Sequence, residues 1–292
     1  GMAKLMVARL RLPIFSIKHP EAFQVRSSLP VPQPSSLVGL LAYCLGVARG
    51  WGTAALERVK EWVREGKLLA ARASLARDQP PLAVSPVVLR RFRVVDKAHE
   101  AKGRGEAKPI ERLSASIRSG NFPDAKRMVE VELTDAFYRE YVMGYELLCA
   151  WALDEALDVD PGCLYLAQRL GDTESLCTVL EVRAEEAEVC EEEALRTTFP
   201  TPMEKLAEPV KGSYTVAKMC DEERQLRPYV LPCELAMEKV EGGFITLVRP
   251  SEVEVRYEEP VRVIRSESGL VLTAFWPRAG RARRRRGRRR RA

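Results

Sequence analysis

The sequence predicts an α+β fold with a β-rich C-terminal part, and three observations predict it. Near the start, Ala3 to Leu12 alternates Arg9 and Arg11 against Ala8, Leu10 and Leu12, the period of a half-buried strand. The next apolar positions, Leu37, Leu40, Leu41, Cys44 and Leu45, fall at helical spacing on one face. From about Pro200 onward, short apolar runs alternate with turn residues. The strand–helix–strand order of the first half matches half of a ferredoxin-like unit, and there is no internal repeat at solenoid spacing.

Between the first strand and the first helix lies a proline-rich loop. Pro30, Pro32 and Pro34 keep it extended and remove three backbone donors. Ser35 or Ser36 is placed to cap the helix, and Gly46 or Gly50 to end it. Thr53 to Gly66 predicts a second helix, with Leu56, Val59, Trp62 and Val63 as its stripe, Thr53 as cap and Gly66 as stop. Leu68 to Leu75 reads as a strand, and Val87 to Val95 as a β-branched, basic one.

Asp96 to Asp124 lacks sustained periodicity and contains Gly103, Gly105, Gly120, Asn121 and Pro123, so it reads as a long mobile loop. Met128 to Leu133 alternates as a returning strand, which makes residues 87–133 a protruding basic hairpin. Tyr145 to Leu157 reads as an apolar helix, and Asp158 to Gly162 as a turn. The later strands are expected at Ser213–Met219, Pro228–Leu235, Phe244–Val248, Glu252–Tyr257, Val261–Arg265 and Leu270–Trp276. Gly242-Gly243 suits a tight turn between two of them. The expected organisation is a first domain over 1–199, a β-rich region over 200–277 and a disordered tail over 278–292.

The formal net charge of +6 conceals a strong segregation. Residues 278–292 hold ten arginines and no acid, so the other 277 residues carry 37 basic and 41 acidic groups, a net −4. Residues 87–127 hold eleven basic groups against five acids, whereas 181–193 hold seven glutamates against Arg183. Like charges in the tail repel and nothing in it can be buried, so it cannot fold alone and would bind any polyanion without specificity. No apolar run is long enough for a membrane helix, and the N-terminal residues lack a signal-peptide core. The reading is a cytoplasmic protein without a membrane partner.

The seven cysteines, Cys44, Cys149, Cys163, Cys177, Cys190, Cys220 and Cys233, contain no C-x-x-C pair, and the only histidines are His19 and His99. That excludes a zinc motif and a disulfide framework, and predicts buried thiols in a reducing compartment. Asp154, Asp158 and Asp160 resemble a metal cluster, but aspartates beside a Pro161-Gly162 turn more commonly serve local hydrogen bonds. No phosphate-binding glycine motif occurs, and no cofactor is expected.

The strongest functional signal is the basic hairpin. Arg90, Arg91 and Arg93 surround Phe92, which combines cations for phosphate with a ring on which a base can stack. Lys97, His99, Lys102, Arg104 and Lys108 extend the patch. The competing reading is a solvated hairpin without a ligand. A second candidate is the helix start at Ser35 and Ser36, with Arg26 just before its loop, because free first-turn amides attract anions. The competing reading there is an ordinary capped core helix. The glutamate-rich stretch Glu181–Glu193 reads as a solvated helix face, with mimicry of nucleic acid or docking of a basic neighbour as the alternatives.

A strand near the N-terminus, then Phe23-Gln-Val-Arg26 and Pro34-Ser-Ser-Leu-Val-Gly-Leu-Leu-Ala42 leading to Leu45-Gly46, resembles the opening of a CRISPR-associated RAMP protein of Cas family five. Leu164-Tyr-Leu-Ala-Gln-Arg-Leu-Gly171, followed by Glu174-Ser-Leu-Cys-Thr-Val179, is similar to that family's middle segment, with Ala167 where a glycine is more usual. The resemblance covers roughly residues 3–50 and more weakly 128–182, and leans to the archaeal subtype I-A branch. It implies a ferredoxin-like (RRM-like) body with residues 87–133 as an inserted thumb. It implies a non-catalytic subunit that caps the 5′ handle of the guide RNA (crRNA) in a type I, Cascade-like surveillance complex for antiviral defence. The implied partners are crRNA, a backbone RAMP subunit reached by the thumb, and a large subunit.

Some members of the family cleave repeat RNA with tyrosine, lysine and histidine, for which Tyr43, Lys97 and His99 are the counterparts here. The glycine-rich C-terminal loop of repeat-cleaving RAMP proteins is missing, so a structural role is favoured over processing. A metal-independent endoribonuclease and a protein-only scaffold remain the two alternatives. The high arginine and glutamate content suits a thermophile.

Overall fold

The computed structural model of the chain describes residues 1–17, 28–78, 80–144, 146–171 and 175–278, without the side chains of 86–91, 95, 137 and 138. Arg26, His19 and the arginine tail beyond residue 278 lie outside the described residues.

The strands are β1 Met2–Arg11, β2 Ile14–Phe15, β3 Leu68–Leu75, β4 Leu82–Phe92, β5 Thr134–Met143, β6 Glu146–Asp154, β7 Thr178–Thr197, β8 Thr201–Pro202, β9 Tyr214–Cys220, β10 Leu226–Val240, β11 Gly243–Pro250, β12 Val253–Ser266 and β13 Val271–Thr273. The helices are α1 Pro34–Ala48, α2 Ala55–Arg64, α3 Val94–Gly103, α4 Pro109–Arg118 and α5 Phe122–Arg127. One sheet has the order β13-β12-β7-β1-β6-β3 and the other β2-β5-β4-β11-β10-β8, with β9 also on β10. The α+β class and the β-rich C-terminal part are as expected.

The chain divides into two compact units. Unit 1 comprises residues 1–22, 27–85 and 141–292; unit 2 comprises 23–26 and 86–140. In unit 1, β1 pairs antiparallel with both β6 and β7, and β6 with β3. Helices α1 and α2 cross between β1 and β3. They cover one face of this sheet, where Leu37, Leu41, Cys44, Val59 and Val63 pack with Met6, Leu10, Ala71 and Trp151. The opposite face is also buried, by Leu5, Val7, Ala70, Ala150, Ala152, Phe199, Ile264 and Leu272. β12 and β13 join this same sheet through β7.

Burial on both faces explains the first correction. The apolar run predicted as a helix over Tyr145–Leu157 is strand β6, because a strand covered on both sides needs no alternation and its run cannot be told from a buried helix by period. The second correction is the glutamate-rich stretch. It is not a helix face but the middle of the 20-residue strand β7, which is paired with β1 and β12. Cross-strand arginines offset its charge: Arg265 binds Glu192 in a fork, and Arg256 approaches Glu193 at 3.8 Å. The two strands expected at Glu252–Tyr257 and Val261–Arg265 are one strand with a register shift between Arg256 and Val261.

Unit 2 corrects the expected hairpin. Only its base is β, formed by β4 and β5; the span read as a mobile loop contains α3, α4 and α5, and Met128–Glu132 is a π-helical turn rather than a returning strand. The glycines read as loop breakers sit instead at helix ends. Gly105 and Gly120 adopt φ of 70° and 72°, follow α3 and α4, and act as left-handed stops. Pro109 opens α4 at its first turn, and Asn121 caps α5 through an Asp124 amide at 3.3 Å.

A buried ionic cluster lies in unit 1. Arg72 on β3 pairs with Glu222, which also accepts from the Ala71 amide at 3.0 Å. Arg227 on β10 pairs with Glu204 and with Asp221 at 3.5 Å, and donates to the Trp276 carbonyl at 2.7 Å. Burial pulls the Arg72 guanidinium down and pushes Asp221 up from their ordinary values.

Candidate nucleic-acid interface

The helix start differs in detail from the expected cap. Gln33 is the N-cap residue of α1, Pro34 its first helical residue, and Ser35 and Ser36 follow inside the first turn. The Gln33 carbonyl accepts from the Ser36 amide at 3.0 Å, while its side chain accepts from the Cys220 amide at 2.7 Å. No side-chain hydroxyl caps the helix. The reason is the proline: its fixed φ preorganises the first helical position, which shifts both serines inward by one or two places. At the other end Gly50, at φ 65°, stops α1, whereas Gly46 stays helical and lets Ala55 of α2 approach closely.

Ser35 and Ser36 are half-buried and face different openings. Ser35 lines a hollow of about 200 Å³ with Val38, Leu56, Lys60, Arg64, Glu222, Glu223 and Arg224. There Lys60 and Arg64 are already engaged with Glu57, at 2.7 and 3.7 Å. Ser36 lines a second groove of about 270 Å³ with Gly39, Leu40, Tyr43, Gln168, Arg169, Leu170 and Gly171. One wall is the outer face of α1; the other is the segment that follows the 3-10 turn Pro161–Leu166.

That segment is held by backbone bonds. The Leu170 amide donates to the Ser175 carbonyl at 3.1 Å, and the Cys177 amide to Gln168 at 2.9 Å. The Ser175 hydroxyl accepts from the Ser16 amide at 3.0 Å. Gly171 has φ 94°, and a Cβ there would stand 3.0 Å from Ile17 Cγ1 and 3.3 Å from the Ser16 carbonyl oxygen. Only glycine combines that backbone with that close approach.

Among the described residues that line the groove there is no carboxylate. Arg169 is exposed and has no acidic partner among the described residues, and Tyr43 is 46% exposed. Tyr43 stands on α1 outside the buried face of Leu37, Leu41, Cys44 and Leu45. An exposed ring, an exposed guanidinium and the positive end of a helix together suit one nucleotide, base on the ring and phosphate on Arg169. Sequence reasoning missed Arg169, although the segment that carries it had been noticed; its sequence distance from α1 hid the juxtaposition.

In unit 2 the predicted patch is only partly free. Phe92 is 67% exposed. Arg93 is engaged with Asp96 at 3.2 Å, Asp135 at 3.5 Å and Glu100 at 3.6 Å, and its hydrogen bond to Asp96 raises it from its ordinary value. Lys97 pairs with Glu100 at 3.0 Å and Arg104 with Glu106 at 3.7 Å. His99, Lys102 and Lys108 are exposed on or beside α3 and α4, and Lys102 and Lys108 have no ion-pair partner among the described residues. The Arg90 and Arg91 side chains lie outside the described residues.

Tyr43 belongs to unit 1, whereas Lys97 and His99 lie on α3 of unit 2. Asp154 and Asp160 accept from the Ala156 and Gly162 amides at 2.9 Å, as turn aspartates do. Among the described residues no group of three or more His, Cys, Asp or Glu could hold a metal ion, and no helix is long and apolar enough to cross a membrane.

A family model described as CRISPR-associated protein (Cas_Cas5) matches residues 5–128. A CRISPR-associated protein Cas5 from Methanocaldococcus jannaschii is 29% identical over 202 residues, which is 66% of this chain and 68% of that relative. A namesake from Thermoproteus tenax is 29% identical over 175 residues, 59% of this chain and 62% of the relative. Among solved structures, a CRISPR protein from Archaeoglobus fulgidus has a TM-score of 0.55 at 14% identity, covering 94% of this chain and 100% of its own, a likeness of fold.

Proposed function

We propose that this chain, which is similar to CRISPR-associated Cas5 proteins, is a non-catalytic guide-RNA-binding subunit of a type I CRISPR effector complex, and that it holds the 5′ handle of that RNA. The observation that carries the proposal is the groove between α1 and residues 168–171. Its two walls are the two segments whose sequences resemble Cas family five, and they meet around Ser36, Tyr43 and Arg169. A ring, a guanidinium and a helix N-terminus are suited to binding a nucleotide, and the described lining residues include no acid to oppose a phosphate.

The ferredoxin-like reading of the body is supported by strand order. In chain order β1, β3, β6 and β7 supply the first to fourth strands, and the sheet arranges them fourth, first, third, second, each pair antiparallel. Helices lie between the first two, and a short 3-10 turn stands between the last two. Unit 2 is the thumb in this reading, with Phe92, Lys102 and Lys108 available to RNA or to a backbone RAMP subunit, and a large subunit as a further neighbour in the cytoplasm.

The test is a fluorescence-anisotropy salt titration of the 5′ handle against a scrambled RNA, using the chain without residues 279–292. Handle preference that falls with Tyr43→Ala or Arg169→Gln is the expected result. Equal weak binding to both RNAs, unchanged by these substitutions, would overturn the handle assignment.

A further inference from the structure

β10 continues well past its last partner on one side. It pairs with β9 and β8 only through Leu226–Pro232, and with β11 through Cys233–Val240. Along Cys233–Val240 one edge of the strand therefore meets no other described strand. Proteins usually blunt such an edge with proline, a bulge, or charged side chains, of which this stretch carries Glu234, Glu238 and Lys239. This stretch contains no proline after Pro232 and no register shift.

The turn tells which backbone groups face outward. Val240 pairs with Gly243 across the two-residue loop Glu241-Gly242, so these two exchange hydrogen bonds. Hydrogen-bonded and non-hydrogen-bonded pairs then alternate along an antiparallel ladder. The amides and carbonyls of Leu235, Met237 and Lys239 accordingly point away from β11, toward the open edge.

The side chains of those residues share one face with Phe244, which is opposite Lys239. Met237 is 71% exposed, Phe244 68% and Leu235 55%. Large apolar groups at alternate positions beside a regular row of free backbone groups form a template for one further strand. The charge around it disfavours nucleic acid: Glu234, Glu238 and Glu241 stand against Lys239 and Arg249, and Arg249 is paired with Glu238 at 3.2 Å.

We propose that the open edge of β10 over Leu235–Lys239 is a docking site for an extended, apolar segment of another protein, which adds to the sheet as a strand. Its backbone bonds to Leu235, Met237 and Lys239, and alternate side chains cover Met237 and Phe244. A basic residue in that segment would meet Glu234. This inference stands apart from the RNA reading, because it uses no residue of the groove and no property of the thumb.

The experiment is amide hydrogen exchange on the full chain, with and without a capped cationic peptide of alternating valine, threonine and lysine as the probe. The proposal expects protection confined to residues 234–240 on adding the peptide. Met237→Pro deletes one outward amide and no β10–β11 hydrogen bond, and should weaken peptide binding roughly tenfold while β11 stays protected. Met237→Lys provides a second variant at a side chain already in solvent, with the same direction expected.

Sedimentation of the chain alone completes the test. Protection that rises with the chain's own concentration, together with dimers abolished in Met237→Lys, would assign the edge to a second copy and overturn the proposal. So would protection of 234–240 by RNA, or unchanged exchange at saturating peptide.

Discussion

The guanidinium of Arg72 and the carboxylate of Glu222 form an ion pair with both side chains fully buried, and it joins β3 to the turn that precedes β10. Arg72 also lies over the Tyr229 ring, 5.6 Å from its centroid. Arg72 Nε, Arg72 Nη2 and Glu222 Oε2 lack hydrogen-bond partners. Charges taken from water and only partly satisfied give little net stability while both remain, but either one alone is costly.

Arg72→Met should therefore destabilise the chain by about 3–5 kcal/mol, because it leaves Glu222 buried and uncompensated. The double variant Arg72→Met, Glu222→Leu should recover most of that loss. Chemical denaturation of the single variants and the double variant measures both numbers. If the double variant proved no more stable than the worse single one, the pair would owe its place to geometry rather than to mutual neutralisation.

The groove makes a separate prediction. Removal of the Tyr43 ring should cost about 1–3 kcal/mol in handle affinity if a base stacks there. Gly171→Ala should impair binding as well, since strain at φ 94° and the close approach of Ile17 must displace the segment carrying Arg169. Circular dichroism should be unchanged for Tyr43→Ala, whose side chain is nearly half exposed.

Salt dependence separates the free cations of unit 2 from the engaged ones. Neutralising Lys102 or Lys108 should flatten the slope of log affinity against log salt by about 0.7 for each phosphate that the lysine neutralises. Arg93→Gln should instead alter the stability of unit 2 as well as binding, since Arg93 is tied to Asp96, Glu100 and Asp135. A slope unaffected by either lysine would place the phosphates elsewhere.

The thiols offer a test of the fold itself. Burial pushes Cys44 up to about 12, and Cys163, Cys177 and Cys233 to about 11. The reactive thiolate is then scarce at pH 8, where these four should resist iodoacetamide in the native protein and react fully in denaturant. Mass spectrometry of labelled peptides reads this directly. Rapid native labelling of Cys44 would contradict its burial between α1 and the sheet.

Much of the fold was legible because local rules wrote it. β1, β3, α1 and α2 follow from period, and Gly50 and Gly66 stop helices at φ of 65° and 70° as their positions suggested. Unit 2 was misread for a local reason too. Ile110, Leu113 and Ile117 do fall at helical spacing, but glycines at both ends of a ten-residue helix looked like a loop. The candidate groove was half legible: Ser36 lay in a motif, whereas Tyr43 and Arg169 enter it through their exposure, which no single segment encodes.

The sequence by itself determined what depends on neighbours along the chain: strand period, helix spacing, left-handed glycine stops, the sorting of charge into blocks and the lack of metal-binding spacing. The tertiary structure alone decided whether the apolar run at 146–154 was strand or helix, that the glutamate-rich run is a paired strand, and that Arg169 faces α1. The physical reason is the same in each case. A strand's hydrogen bonds and a groove's second wall are contributed by residues more than fifty, and in places more than a hundred, positions away, and burial or charge pairing at that distance outweighs local propensity.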